Sequence, residues 1–293
     1  MKRLFYTFLA AVVLVGCSQF DDIDQPVQGG DDNTSAILPE VVSAVVPDDY
    51  DSESRTFVVR DQHVLWQTDD AISYFAGTMK AKYVYTGVRG VTTANFDLVE
   101  ESNISRILYT NAVYPYDADA SCVHVGGVDQ LSVNYPAVQN YAVDSFGNGA
   151  NLMVAVGANP GEYDKNLHFR NACGYFTIKL YSNKFDEVAI KSIKLTALGG
   201  EKIAGPATII ASNTEAPEIT MSNEGVSEVT LNCAGSGKVI SSDAQNPTEF
   251  WFALPPTTFE GGLRVEITDV NGKTYIKETT KKIVVNQIGR AHV

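Results

Sequence analysis

No two cysteines in this chain are spaced as CxxC, and only four occur in 293 residues. That excludes the disulfide framework of small secreted domains and the usual zinc ribbons and fingers. Histidine is as scarce: His63, His124, His168 and His292 stand apart, with no HxH or HExxH spacing for a metal. A GxSxG elbow is absent too. Gly235, Ser236, Gly237 and Lys238 do not form a phosphate loop, because the upstream glycine is missing and Val239 replaces the required hydroxyl. Asp49, Asp51 and Glu53 alternate as in a calcium loop but lack the glycine of its sharp turn. Among 35 acidic residues some carboxylates fall close together by chance, so spacing alone identifies no glycosidase pair. Basic residues number only 22, and the net charge of -13 disfavours nucleic acid as a partner. No stretch of the body keeps a 3.6-residue apolar period over several turns, which argues against a helical body. The sequence thus offers no cofactor site, no metal site and no catalytic residue, and the expectation is a protein that is not an enzyme.

What is present begins at the amino terminus. Lys2 and Arg3 precede an apolar run from Leu4 to Val15, the layout of an export signal. The run is shorter than the roughly 20 residues that span a bilayer. It ends in Leu14, Val15, Gly16 and Cys17, the small-residue pattern at which lipoprotein signal peptidase cuts and the thiol is acylated. Residues 1–16 are therefore expected to be a lipoprotein signal peptide, with Cys17 the lipidated first residue and the link to the membrane. An ordinary signal peptide with an incidental cysteine is the alternative. Two or more acyl chains would anchor the protein stably, since each buried methylene contributes about 0.8 kcal/mol. Removing residues 1–16 takes away two basic residues and no acidic ones, moving the net charge from -13 to -15, or 20 basic against 35 acidic.

Residues 17–35 are polar and rich in aspartate and glycine, and are expected to be an acidic flexible tether. Asp21, Asp22 and Asp24 resemble the acidic signals that send lipoproteins to the outer face of the outer membrane. At the other end, residues 288–293 (IGRAHV) are the conceptual translation of a widely used sequencing adapter. They are expected to be an artefact and are left out of the fold reasoning.

Between these ends the pattern is that of strands. Residues 37–46 carry apolar pairs every four residues, which suits a short helix starting at Pro39 as well as an irregular strand; the valines favour the strand. Short β-rich segments follow at 56–59, 64–66, 71–75, 83–85, 94–98, 106–109 and 111–114. Residues 151–156 (NLMVAV) are apolar on both faces and read as a central, doubly covered strand. In the second half Phe176, Ile178 and Leu180 point one way while Thr177 and Lys179 point the other. The apolar phase changes between Ile190 and Ile193, which predicts a β-bulge near Lys191 and Ser192. Gly205 and Pro206 are expected to confine their strand to a sheet edge. Phe250, Phe252 and Leu254 make another inward stripe, and Asn271 with Gly272 predicts a hairpin turn. The fold class is therefore all-β, in antiparallel sandwiches. The change from irregular to cleanly alternating strands near Leu167 divides the body into an N-terminal domain, 36–166, and a C-terminal domain, 167–287. Cys122, Cys173 and Cys233 read as buried apolar residues, with a disulfide between two of them left open. Trp66 and Trp251 sit among apolar strand residues and read as core, with sugar stacking the alternative.

Several of these segments together resemble the fimbrillin-like proteins, subunits of type V pili and related surface lipoproteins. The resemblance runs from about Arg55 to Gln287. It is carried by Trp66, Asp70 and Ile72; Tyr114, Pro115 and Tyr116; Tyr135, Pro136 and Gln139; residues 151–155; and Leu167, Phe169, Asn171, Cys173 and Gly174. Later come Gly200, Glu201 and Gly205, then 254–259 (LPPTTF) and Gly262. It implies two tandem transthyretin-like antiparallel β-sandwich domains. It also implies assembly with other pilus subunits by donor-strand addition, after an N-terminal strand is cut away behind an arginine. Residues 37–46 would be the removable strand and Arg55 the processing position, with Arg60 a second candidate. A host or bacterial surface receptor or glycan is a further partner the resemblance allows. The alternative function is a surface glycan-binding lipoprotein of a nutrient-uptake system.

Overall fold

The computed structural model describes residues 38–46, 64–101, 109–157, 163–183, 187–212, 215–287 and 290–291. They belong to one compact unit spanning residues 36–293. Among the described residues every regular element is a β-strand, as the alternating patterns predict. Cys17, Asp49, Asp51, Glu53, Arg55, Arg60, His63 and the segments 56–59 and 106–108 lie outside the described residues.

The largest sheet has eight members. Their order is Asn166–His168, Val41–Val45, Thr93–Glu101, Met79–Val84, Ala71–Ala76, Thr110–Tyr114, Met153–Val156 and Arg170–Asn171. The first and last are halves of one segment, split only at Phe169, so the succession of pairings returns to where it began. Returning on itself in this way is how a sheet avoids unpaired edges. Inside lies a core of Leu38, Val42, Ala44, Val46, Trp66, Tyr74, Tyr83, Phe96, Met153 and Phe169.

Met153–Val156 is interior, between Thr110–Tyr114 and Arg170–Asn171, and is covered on both faces as expected. Met153 and Ala155 enter the first core, while Val154 enters a second core with Phe75, Val113, Leu131 and Tyr135. That second core packs against a four-stranded sheet ordered Glu218–Met221, Gly205–Ile210, Val128–Tyr135, Ser121–Val125. Here one expectation is overturned: Gly205–Ile210 is interior, not an edge. Pro206 is tolerated because it lies at the strand's start, opposite Asn134, before pairing with the other neighbour begins at Ala207. Its carbonyl still accepts from the Ser222 amide at 2.8 Å.

A third core holds Phe176, Ile193, Leu195, Leu231, Phe250, Phe252, Leu254 and Phe259. Around it Gly174–Leu180 pairs with Thr248–Leu254, and Ala189–Ala197 lies between Leu263–Asp269 and Glu228–Asn232. The register shifts between Ile190 and Ser192, the bulge the apolar phase predicts. Leu263–Asp269 and Thr274–Thr279 form the hairpin across Asn271 and Gly272, with Gly272 at a φ of 81° that favours glycine. Pairing crosses residues 166 and 167 in four places: Val41–Val45 with Asn166–His168, Met153–Val156 with Arg170–Asn171, Val128–Tyr135 with Gly205–Ile210, and Val138–Ala142 with Glu228–Asn232. Of the last six residues, Arg290 and Ala291 are described, parallel to Tyr175 and Phe176.

Candidate functional site

Residues 41–45 resolve the helix-or-strand ambiguity in favour of the strand, and their position makes them the candidate site. Val41–Val45 is interior to the eight-membered sheet, antiparallel to Thr93–Glu101 and parallel to Asn166–His168. It is the leading strand of the described chain, and it closes the gap between those two neighbours. Val42 lies opposite Phe96 and Ala44 opposite Ala94, whereas on the other side Ala44 faces Leu167. The Ser43 amide donates to the Lys165 carbonyl at 2.7 Å, and the Phe169 amide donates to the Val45 carbonyl at 2.9 Å. Toward the opposite neighbour, the Leu98 amide donates to the Glu40 carbonyl and the Val46 amide to the Thr92 carbonyl, both at 2.9 Å.

Side chains divide by period two. Val42, Ala44 and Val46 point into the first core while Val41 is exposed. Leu38 joins the core from the preceding segment. Full burial of Leu38, Val42 and Val46 contributes about 1.5–3 kcal/mol each, so the leading strand is held firmly, without covalent help from its neighbours. Two long side chains seal it further: the Trp66 indole donates to the Ala44 carbonyl at 3.1 Å, and the Tyr83 hydroxyl to the Pro39 carbonyl at 2.7 Å.

Trp66 is 1% exposed and packs edge-on against Phe96, Tyr114 and Phe169, with ring centroids 5.0 to 5.4 Å apart. Trp251 is buried as well. Neither presents a face to solvent, so neither is a sugar-stacking platform. The turn that places Trp66 is organised by Asp70, whose carboxylate accepts from the Gln67 amide at 2.7 Å and from the Tyr114 hydroxyl at 2.9 Å. Burial raises the Asp70 carboxyl above the usual carboxylate range, although both hydrogen bonds oppose the shift. Burial also raises the Tyr114 phenol, with the Asp70 charge adding to it, so Tyr114 stays a neutral donor.

Other motif residues prove to be clamps. Gln139 is buried, and its amide both donates to the Ala253 carbonyl at 2.6 Å and accepts from the Ala253 amide at 3.1 Å. It thereby stands in for a strand neighbour. The Tyr135 hydroxyl donates to the Ala172 carbonyl at 2.5 Å. Asn151 donates to Asn171, which donates to the Tyr175 hydroxyl. No period or spacing announced these bonds; Tyr135, Gln139 and Asn171 stood out only through the resemblance.

Chemistry of other kinds finds little to work with. Among the described residues no group of three or more histidine, cysteine, aspartate or glutamate side chains could hold a metal ion. His124 meets Asp129 at 2.7 Å on an exposed hairpin, and Asn111 donates to the same carboxylate at 2.7 Å. Cys122, Cys173 and Cys233 are buried free thiols, closing the disulfide question among them. Burial pushes Cys122 and Cys173 up to about 12 and Cys233 to about 11, which suits inert core residues and not nucleophiles. Among the described residues no helix is long and apolar enough to cross a membrane.

No protein-family model matches the chain, and no curated protein matches it in sequence. Among solved structures it is similar to a "putative cell adhesion protein" from Bacteroides ovatus, at 14% identity and a TM-score of 0.45, over 84% of this chain and 86% of that one. A "putative cell adhesion protein" from Bacteroides uniformis gives 13% identity and 0.41, over 81% and 83%. The tip fimbrial protein Mfa3 from Porphyromonas gingivalis, with a C-terminal truncation, gives 9% identity and 0.26, over 81% of each chain. Likeness at these levels carries no function across.

Proposed function

We propose that this protein is a non-enzymatic cell-surface component of a fimbrium, a subunit, anchor or tip adhesin that joins other pilus subunits by exchanging its leading strand. The observation that carries the reading is the place of Val41–Val45, interior to a sheet that otherwise returns on itself. Withdrawing that strand would expose two facing edges, Thr93–Glu101 and Asn166–His168, above an apolar trough lined by Phe96, Leu167 and Phe169. Unpaired edges of this kind recruit another strand: main-chain hydrogen bonds supply affinity and alternate side chains fill the vacated pockets. Keeping the chain's own strand in place would protect the trough during export.

In this reading Arg55, flanked by Ser54 and Thr56, is the processing position, since it follows the leading strand in the chain and precedes Trp66. Cys17 carries the acyl chains that hold the precursor at the outer membrane, with residues 17–35 as tether. The division into two tandem transthyretin-like domains, 36–166 and 167–287, belongs to the same proposal. It is supported by a first core drawn from residues 38–169 and a third drawn mainly from residues 176–285.

Digestion of the folded precursor with an arginine-specific protease tests the reading. A discrete cut behind Arg55, followed by polymers as strands exchange, is the expected result. Absence of that cut, or a cut that never yields polymers, would overturn it.

A further inference from the structure

A cleft of about 340 Å3 opens between the 65–70 turn and the 142–151 segment. Its volume is at the low end of the ~300–1,000 Å3 typical of small-molecule sites, room for one or two rings and not for an extended polymer. The floor is apolar, formed by the buried Trp66 and Met153. One wall is the half-buried Phe146, whose ring is backed by Tyr175 in a stacked arrangement with centroids 5.0 Å apart. A ring fixed from behind offers a pre-organised surface.

The polar groups converge from two sides. From the turn comes the Asp70 carboxylate, each oxygen of which accepts one described hydrogen bond and retains a further lone pair. From the loop come Ser145 and Asn148. The Tyr114 hydroxyl is 2.9 Å from Asp70 Oδ1 and 3.2 Å from Asn148 Oδ1. Its single proton goes to the charged acceptor, which leaves the Asn148 amide with bonding capacity to spare. None of the described lining residues is a cation.

This lining selects by exclusion. An anion would meet the Asp70 carboxylate with no compensating charge. A wholly apolar ligand would strand the carboxylate, the Ser145 hydroxyl and the Asn148 amide without water or partner, which costs more than the contact returns. An organic cation would use the carboxylate but leave the hydroxyl and amide idle. A ring with one C–H face and several hydroxyls, each able to donate and accept, satisfies every group at once. We propose that this cleft binds an uncharged pyranose, with Asp70, Ser145 and Asn148 holding its hydroxyls and Phe146 packing against its C–H face. The proposal stands apart from strand exchange, and either can fail without the other.

Saturation-transfer NMR on the full chain tests it, with glucose, galactose, mannose, fucose and N-acetylglucosamine as probes. Sialic acid and cyclohexylamine serve as the anionic and cationic controls. The expected result is transfer to at least one neutral pyranose and weaker or no transfer to the controls. Asn148→Ala, an exposed change that leaves the fold intact by circular dichroism, weakens binding about tenfold, the scale of one lost polar contact. Phe146→Ala weakens it comparably. Absence of transfer to every neutral pyranose would overturn the proposal, as would transfer that survives Asn148→Ala or controls that bind as well as the sugars.

Discussion

The indole nitrogen of Trp66 lies 3.1 Å from the carbonyl oxygen of Ala44, a buried hydrogen bond between the first core's largest ring and the main chain of the leading strand. It ties the strand proposed for exchange to the part of the fold that would stay behind. Trp66→Phe keeps an aromatic ring but removes the donor, taking one bond from a carbonyl that also lies in the bonded register opposite Ala94, at a cost of about 0.5–1.5 kcal/mol. Hydrogen exchange at the amides of residues 42–46 should quicken more than exchange elsewhere in the fold. Unchanged protection across that strand would mean the indole does not help to hold it.

Tyr114→Phe should destabilise the protein by about 1.5–3 kcal/mol at neutral pH, because it removes a hydrogen bond to a buried charge. The penalty depends on pH with a definite sign. Asp70 is raised in the folded state by burial, so the folded protein binds that proton more tightly than the unfolded chain, whose carboxylate titrates near ~3.9. Asp70 therefore opposes folding increasingly as pH rises from the unfolded value through the folded one, and no further above it. Removing Tyr114 takes away a bond that lowers the folded value, so the window widens upward. Urea unfolding at pH 3 and pH 7 should show the smaller loss at pH 3; an equal loss at both would contradict this account of Asp70.

Gln139→Leu should cost about 2–6 kcal/mol, since the amide and the carbonyl of Ala253 would each be buried without a partner. Chemical denaturation measures it directly. A loss below ~0.5 kcal/mol, the range of an ordinary surface change, would show that water or a shifted neighbour replaces the clamp.

The thiols of Cys122, Cys173 and Cys233 should resist iodoacetamide at pH 8 in the folded protein and react fully in urea, because burial holds all three protonated. Intact-mass spectrometry counts the adducts. Rapid labelling of any one under native conditions would place that thiol outside the core.

How much of this was legible in the sequence depends on the range of the interaction. The Phe250, Phe252 and Leu254 stripe, the bulge at Ile190 and the Asn271–Gly272 turn are local features, and the two-residue period exposes them. Residues 37–46 were ambiguous for a physical reason: Val41 is apolar yet faces solvent beside the buried Val42, so the alternation that marks a strand is blurred. The return of the large sheet through Phe169 left no local trace, since it depends on pairing between residues 43–45 and 166–168. Pro206 misled because a proline is also tolerated near the start of an interior strand, before the second partner's register begins, and where that register begins is not a local feature. The Asp70–Tyr114 and Gln139–Ala253 bonds are invisible to any pattern, because they join residues 44 and 114 positions apart.

Locking the leading strand tests the central claim most directly. Ser43 and Asn95 are directly opposed in the antiparallel pair. Their Cα atoms therefore lie within the ~4.4–6.8 Å that a disulfide bridges. A Ser43→Cys, Asn95→Cys protein, cut behind Arg55, should stay monomeric while oxidised and polymerise once a reductant frees the strand, as size-exclusion chromatography would show. Polymers forming equally well from the oxidised protein, or none forming after reduction, would contradict assembly through release of Val41–Val45.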